Sequence, residues 1–271
     1  MIAIKEIAPK DTDLIVSVIH ETTLVSYSSY YPQEAINYFI SYHSKENISK
    51  DMENGTTVAC LENGTIIATG MLCDSVIKRV FVLPKYQNLG IGTKIMDFLE
   101  NKACWANLDF VYLHASLPAK HFYDRKGYTT LRFSSIDVAN HLTLDFYYMA
   151  KMLKQISGTP RWNFDQLSFR VVKNEGPEAE VTTGTQFTFY QNDELVMGKY
   201  TGGQIAEGEL FGFVENDCLC YRYEQTNLSG ERNFGFSRNV IQKTDNGKIR
   251  LVDSWEWKSR QGKGHCILEQ V

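Results

Sequence analysis

The spacing of apolar positions changes character once along the chain. Up to residue 153, helix-spaced and strand-spaced stretches are interleaved; beyond 160 only strand-spaced stretches follow. Ile2 and Ile4, with Ile7 behind them, predict a strand over 2–7. Asp11 is the expected cap of a helix running to about Tyr27, with Leu14, Ile15, Val18 and Ile19 as its apolar stripe. An aromatic connection (Tyr27, Tyr30, Tyr31, Pro32) leads into helices over about 32–43 and 45–53. Asn63-Gly64 is a hairpin turn between strands 56–61 and 65–73. A strand over 76–83 ends at Pro84, and Ile95, Met96, Phe98 and Leu99 predict a helix from Thr93 onward. Strand 110–115, a helix over 118–126 stopped by Gly127, and strands 128–136 and 142–152 complete this part.

The polar stretch KQISGTP, 154–160, then predicts a boundary between a domain at 1–154 and one at 160–271. Eight strands follow, over 164–173, 184–190, 194–201, 203–214, 217–226, 231–242, 248–258 and 263–270. Gly202-Gly203, Asn216-Asp217, Ser229-Gly230, Asn246-Gly247 and Gly262 supply turns between them. Such a series predicts an all-β antiparallel meander closed as a barrel, lipocalin-like in design. Five aromatic i,i+2 pairs punctuate it: Phe187/Phe189, Phe211/Phe213, Tyr221/Tyr223, Phe234/Phe236 and Trp255/Trp257. Each pair shares a strand face. These rings either fill the barrel or wall a pocket for a small ligand.

Between strand 76–83 and its helix lies Gln87-Asn88-Leu89-Gly90-Ile91-Gly92. A glycine-bearing loop feeding a helix N-terminus suits a phosphate: the first-turn amides lack partners, the helix dipole favours an anion, and glycines allow close approach. The dinucleotide pattern G-x-G-x-x-G fails because Ile95 stands at its third glycine, and G-x-x-x-x-G-K-[ST] is absent.

Composition narrows the partners. The chain has 271 residues, 43% hydrophobic and 22% charged, with a formal net charge of −4. That balance argues against nucleic acid and anionic membranes as partners. Six cysteines show no C-x-x-C pair and no zinc spacing, so no metal is expected. With no long apolar run at the start or elsewhere, the expected location is the cytoplasm.

The string F-V-L-P-K-Y-Q-N-L-G-I-G, residues 81–92, closely resembles motif A of the GNAT (GCN5-related) N-acetyltransferases, Q/R-x-x-G-x-G/A after a strand. A second segment, Ala115 to Tyr128, resembles the family's A-x-x-F-Y-x-x-x-G-Y/F, and the element order over 1–153 is also that of the family. The likeness implies an α+β fold with a mixed central sheet flanked by helices, and acetyl-CoA as cosubstrate. It implies contacts to the coenzyme from Val80, Phe81, Val82, Leu83, Gln87, Asn88, Leu89, Gly90, Ile91, Gly92, Thr93, Ser116, Phe122 and Tyr123. Strand 76–83 would offer backbone groups to the pantetheine arm. Tyr123 takes the position of the acid to the coenzyme sulfur, and the amide of Val82 or Leu83 that of the donor to the thioester carbonyl.

For the acceptor, the same likeness points to Tyr27, Tyr30 and Tyr31 in the first interhelical link, which either line the site or pack the loop. Asp74, Glu21, Glu34, His20 and His43 are candidate bases, and His114 is a candidate for ordering a water. The expected activity is direct acetyl transfer to a primary amine, most simply a small molecule, with a homodimer a possibility. The rival is a sensor that binds acyl-CoA without turnover. The C-terminal part resembles small bacterial β-proteins often labelled N-acetylglutamate synthase; no residue in it carries that activity over.

Overall fold

The computed structural model describes residues 2–156 and 160–271; Ser157, Gly158 and Thr159, at the centre of the expected linker, lie outside the described residues. The chain divides into two compact units, one ending at Lys154 and one beginning at Gln155.

The first unit runs β1 (Ile2–Glu6), α1 (Thr12–Ser26), α2 (Gln33–Tyr42), α3 (Lys45–Glu53), β2 (Thr56–Glu62), β3 (Thr65–Cys73), β4 (Val76–Val82), α4 (Ile91–Trp105), β5 (Phe110–Ser116), α5 (Lys120–Arg125), β6 (Thr129–Asp137), β7 (Thr143–Met152). Its strands form one seven-stranded sheet in the order β1-β2-β3-β4-β5-β7-β6. Asn63 and Gly64 turn the β2–β3 hairpin with φ of 50° and 88°, the left-handed pair such a tight turn requires.

Two features of β4 shape the unit. First, its pairing with β3 skips at Gly70: Met71 faces Lys78 and Thr69 faces Phe81, so Arg79 and Val80 share one partner position. Arg79 takes φ of 54°, and this bulge turns its side chain into the interior, 4% exposed. Asp51 of α3 receives it in an ion pair, with Lys78 on the other carboxylate oxygen at 2.7 Å. Second, β4 and β5 are parallel and share a single register pair, Val76↔Tyr112. Beyond it the two strands share no further ladder pair, and they part toward Val82 and Ser116. The two faces of the β3–β4 pair have different cover. Gly70 opens toward Ile95 and Leu99 of α4, whereas Phe81 packs on Tyr27 and His43.

Several expected boundaries move. Helix α1 buries Ile15, Val18, Ile19 and Thr22, an i, i+3, i+4, i+7 face, and leaves Leu14 54% exposed. Asp11 makes no side-chain cap; Thr12 Oγ1 donates instead to the Pro9 carbonyl at 2.5 Å. Helix α4 starts at Ile91 rather than Thr93, because Gly90 in the left-handed region (φ 76°) already serves as its N-cap. The helix expected over 118–126 splits into a 3-10 turn, Leu117–Ala119, and the short α5.

The second unit contains β8 (Ser168–Glu175), β9 (Gln186–Asn192), β10 (Leu195–Gly202), β11 (Ile205–Glu215), β12 (Cys218–Asn227), β13 (Arg232–Lys243), β14 (Ile249–Trp257) and β15 (Lys263–Gln270). They close as an eight-stranded antiparallel barrel when β15 pairs with β8. Its first strand starts at Ser168, not 164, since Asn163 Oδ1 accepts from the Asp165 amide and Gln166 turns the chain with φ of 60°. Of the five aromatic pairs, Phe187/Phe189, Tyr221/Tyr223 and Trp255/Trp257 belong to the interior cluster, while Phe211/Phe213 and Phe234/Phe236 do not. Glycines make room for the large rings directly across the ladder: Gly208 faces Tyr200, Gly212 faces Tyr221 and Gly235 faces Tyr223. A Cβ on Gly208 would lie 2.3 Å from the Tyr200 ring.

Candidate active site

The opening between β4 and β5 is the focus of the first unit. Antiparallel pairing directs alternate amides of β4 to opposite edges. Leu83 donates to the Ile67 carbonyl at 2.9 Å, so its amide is spent in the sheet. By alternation the amides of Val80 and Val82 face the opening. Of the two amides expected to serve a thioester carbonyl, the structure therefore leaves Val82.

Gln87 is turned inward. Its Nε2 donates to the Val82 carbonyl at 2.9 Å and to Ser26 Oγ at 3.0 Å, and Thr22 Oγ1 donates to the same carbonyl at 3.3 Å. Gln87 thus fixes the loop to β4 and α1 rather than reaching outward. Beyond it the backbone rises to the surface. Asn88 takes φ of 62°, Leu89 is 64% exposed, and a Cβ built on Gly90 would meet nothing within 4 Å. Ile91, 1% exposed, anchors the first turn of α4 in the core. The amide of Lys94 already bonds to the Gly90 carbonyl, which leaves those of Ile91, Gly92 and Thr93 as the unpaired first-turn donors of the helix. Donors at a helix N-terminus, bare backbone and open space fit a pyrophosphate.

Gly92 has a second neighbour. A Cβ there would lie 3.3 Å from Phe122 Cζ and 3.7 Å from Val82 Cγ2. Phe122 of α5 therefore closes on the start of α4 beside the end of β4. The adjacent Tyr123 is buried and stacks edge-on against Tyr128 at 5.7 Å. Its hydroxyl makes no hydrogen bond to another described residue. Burial pushes this phenol well above its ordinary pKa, and nearby Tyr27 adds to the effect.

The three interhelical tyrosines separate. Tyr27 is buried, stacks with Phe81 at 6.0 Å and accepts from Ser116 Oγ at 3.0 Å; burial pushes its phenol up to about 12, against the lowering effect of Ser116. It therefore stands at the end of β5 with Ser116, near Tyr123. Tyr31 is tied at both ends, donating to the Asp145 carbonyl and accepting from the Leu117 amide, each at 2.7 Å. That makes it a brace between the α1–α2 link and the strand ends. Tyr30 is exposed.

Other acceptor-side candidates are dispersed. Asp74 lies at the β3–β4 turn, beside the paired ends of β4 and β5 and so at the far end of β4 from Val82. His43 is buried at the end of α2 between aromatic rings, and burial, with Arg79 and His20, drives its imidazole down to about 3. Such a ring is a feeble base. Glu34 is held by Asn140 at 2.8 Å, and His20 contacts the His43 carbonyl at 3.0 Å. His114 is exposed and shares a face of β5 with Ser116, its ring 4.7 Å from that of Tyr148. The residues that sequence reasoning missed are Thr22 and Ser26, which hold the end of β4 and the loop; two small polar residues in a helix carry no signal for that role.

Comparison with known proteins bears on both units. Residues 27–151 match the family model of the acetyltransferase (GNAT) domain, and residues 162–271 match that of the avidin-like proteins. No curated protein matches the chain. Among solved structures, a GCN5-related N-acetyltransferase from Rhodopseudomonas palustris aligns with 18% identity and a TM-score of 0.52 over 55% of this chain and 94% of that one. An N-acetyltransferase from Staphylococcus aureus aligns with 24% identity over 56% and 98%, TM-score 0.45. The PaiA N-acetyltransferase of Thermoplasma acidophilum, solved with coenzyme A, aligns with 17% identity over 56% and 99%, TM-score 0.46. The chain thus carries a GNAT acetyltransferase domain, an acyl-CoA-dependent N-acetyltransferase with acetyl-CoA as cosubstrate, followed by an avidin-like β-barrel.

Proposed function

We propose that the first unit moves the acetyl group of acetyl-CoA directly to a primary amine of a small molecule, both substrates being bound together. The observation that carries this is the opening of β4 from β5, with a strand-edge amide, Val82, and an unbonded phenol, Tyr123, at its wide end. The pantetheine arm lies along the free edge of β4 as an added strand. Amides of the loop from Asn88 to Thr93 hold the pyrophosphate, and Phe122 packs against the coenzyme. The Val82 amide polarises the thioester carbonyl and takes up charge as the amine attacks. Tyr123 donates a hydrogen bond to the departing sulfur. With its pKa far above that of a thiol, near 8.5 for the cysteine analogue, the phenol stabilises the thiolate while keeping its own proton. His114 relays the proton of the acceptor through water.

Direct transfer is favoured by the cysteines: Cys60 is in β2, Cys73 at the far end of β3, and Cys104 in α4 near its C-terminal end. None stands at the wide end of the opening to carry an acyl intermediate. The test is thiol release from acetyl-CoA over a panel of amines, followed by initial rates with both substrates varied. Intersecting double-reciprocal lines are expected. Parallel lines would mean an acyl-enzyme, and coenzyme binding without thiol release for any amine would make the unit a sensor.

A further inference from the structure

The barrel does not fill its own interior. A cavity of about 40 Å³, room for roughly three waters, remains between its walls. Six aromatic residues line it: Phe187, Tyr200, Tyr221, Tyr223, Trp255 and Trp257. Two carboxyl groups also line it, and their circumstances differ.

Glu180, in the segment between β8 and β9, is saturated. It accepts from Gln225 Nε2 at 2.6 Å, from Asn227 Nδ2 at 3.0 Å and from Arg260 at 2.9 Å. Asp253 on β14 is 4% exposed and has no basic partner among the described residues. Ser237 Oγ donates to its Oδ2 at 3.0 Å, and its Oδ1 has no partner. A buried carboxyl left in that state is costly unless something completes it. Aromatic faces attract cations, and a desolvated site strengthens that attraction. Aromatic side chains around one uncompensated carboxyl suit a small positive charge, and one of them, Trp257, already holds the Arg260 guanidinium over its ring at 4.5 Å.

We propose that the barrel is a receptor for a small organic cation, an ammonium or guanidinium compound, held by Asp253 within the aromatic wall. The inference concerns the second unit alone and stands whether or not the first unit works as proposed above. Burial raises the Asp253 carboxyl to about 8 despite hydrogen bonds from Ser237 and the Ser254 backbone, so near neutrality the empty site keeps its proton. The groups facing Asp253 are Tyr221 on β12, Ser237 on β13 and Cys266 on β15, with Tyr223 and the Glu180–Arg260 pair beyond. Burial pushes the two phenols and the thiol upward, so they keep their protons too. A cation entering the site displaces one proton from Asp253, so below that pKa its binding weakens about tenfold for each unit by which the pH falls.

The four tryptophans make the site observable in the full chain. Trp255 and Trp257 line the cavity, Trp162 bonds to Asp217 at 2.7 Å, and Trp105 is on α4 of the other unit. Labelling with 5-fluorotryptophan gives four fluorine resonances, assignable by single Trp→Phe variants. The probes are guanidinium and its neutral planar analogue urea, both far below denaturing concentrations. The expected result is that guanidinium moves the Trp255 and Trp257 lines, saturating at a concentration at least tenfold lower than urea. Its affinity rises with pH between 6 and 7 and that of urea stays flat. Asp253→Asn should abolish the difference between probes, with the Trp162 line unmoved as the sign of a folded barrel. Equal binding of urea would make the site a receptor for neutral N–H donors and overturn the proposal. A shift confined to Trp105, no shift at all, or a flat pH profile in the parent protein would overturn it equally, whatever the fate of the variant.

Discussion

Tyr123 hides its ring and leaves its hydroxyl without a partner, so Tyr123→Phe changes little besides that hydroxyl. If it stabilises the leaving thiolate, the loss falls on kcat, by about 10²–10³-fold as for removal of one oriented donor. Acetyl-CoA affinity, measured by calorimetry, should move less than about threefold. Turnover at the parental rate under single-turnover conditions would return Tyr123 to a packing role. Gly90 has open space around it, so Gly90→Val acts through its backbone: φ of 76° resists a β-branched residue, and the branches enter the space assigned to the pyrophosphate. Coenzyme affinity should fall at least about tenfold, roughly 1.4 kcal/mol, with the fold retained; unchanged binding would remove the loop from the site. Gly92 is different, because its Cβ would press on Phe122, and a substitution there tests packing as much as binding. His43 gives a pH signature. Its folded pKa, near 3, lies below the unfolded value of about 6.5, so the unfolded chain binds the extra proton and stability is lost as pH falls through that window. Between pH 7 and 5 the loss is about 2 kcal/mol. Urea midpoints should show it, and His43→Asn should flatten the profile; a parallel profile in the variant would clear His43 of the effect.

At the level of elements, legibility followed the range of the interactions. The Asn63-Gly64 hairpin and the alternation of the barrel strands were readable because local backbone preference and period decide them. So was the strand, loop and helix around Gly90, although α4 begins two residues earlier than its apolar spacing suggests. The β4 bulge was not readable. Nothing in V-I-K-R-V-F-V says that Arg79 will turn inward; that depends on Asp51 meeting it from α3, far away in sequence. The same holds for the pairing of Tyr200, Tyr221 and Tyr223 with glycines, which needs the register of neighbouring strands. Tyr31 is expected from the sequence either to line the acceptor site or to pack the loop, and the two hydrogen bonds that brace it come from Asp145 and Leu117, both far away in sequence. The bulge yields a prediction. Lys78 and Arg79 hold the Asp51 carboxyl below its usual range although burial works the other way. Asp51→Asn leaves a guanidinium buried without its counter-charge, a loss of about 3–5 kcal/mol. If the bulge at Arg79 and Val80 also helps to set the direction of the Val82 amide two residues on, kcat should fall in the variant even at temperatures where it is fully folded. A stability loss with parental kcat would mean that the bulge is a structural device only.

For the whole molecule, the question is whether two units on one chain are also two folding units. Each has a closed hydrogen-bond system: the sheet of the first unit uses only β1 to β7, and the barrel closes upon itself from β8 to β15. Each also buries large side chains of its own, Ile15, Ile19, Ile95 and Leu99 in one, Phe164, Phe169, Phe189 and Leu251 in the other. A sheet that needs no strand from elsewhere and a core that needs no side chain from elsewhere are the conditions for independent folding. We therefore expect residues 1–154 and 160–271, produced separately, each to unfold in one cooperative transition. Gly158, the natural place to cut, lies outside the described residues, and the two fragments avoid it on both sides. The N-terminal fragment should bind acetyl-CoA as the full chain does and release thiol with the same amines. The C-terminal fragment should retain sharp fluorine lines for Trp162, Trp255 and Trp257. Calorimetric scans of the intact protein should then show two transitions, and only the one belonging to the first unit should rise on adding acetyl-CoA, since a ligand stabilises the state that binds it. A fragment that is soluble but molten, or a single transition in the full chain raised as a whole by the coenzyme, would mean that the units share one cooperative core and that the barrel belongs to the acetyltransferase rather than travelling beside it.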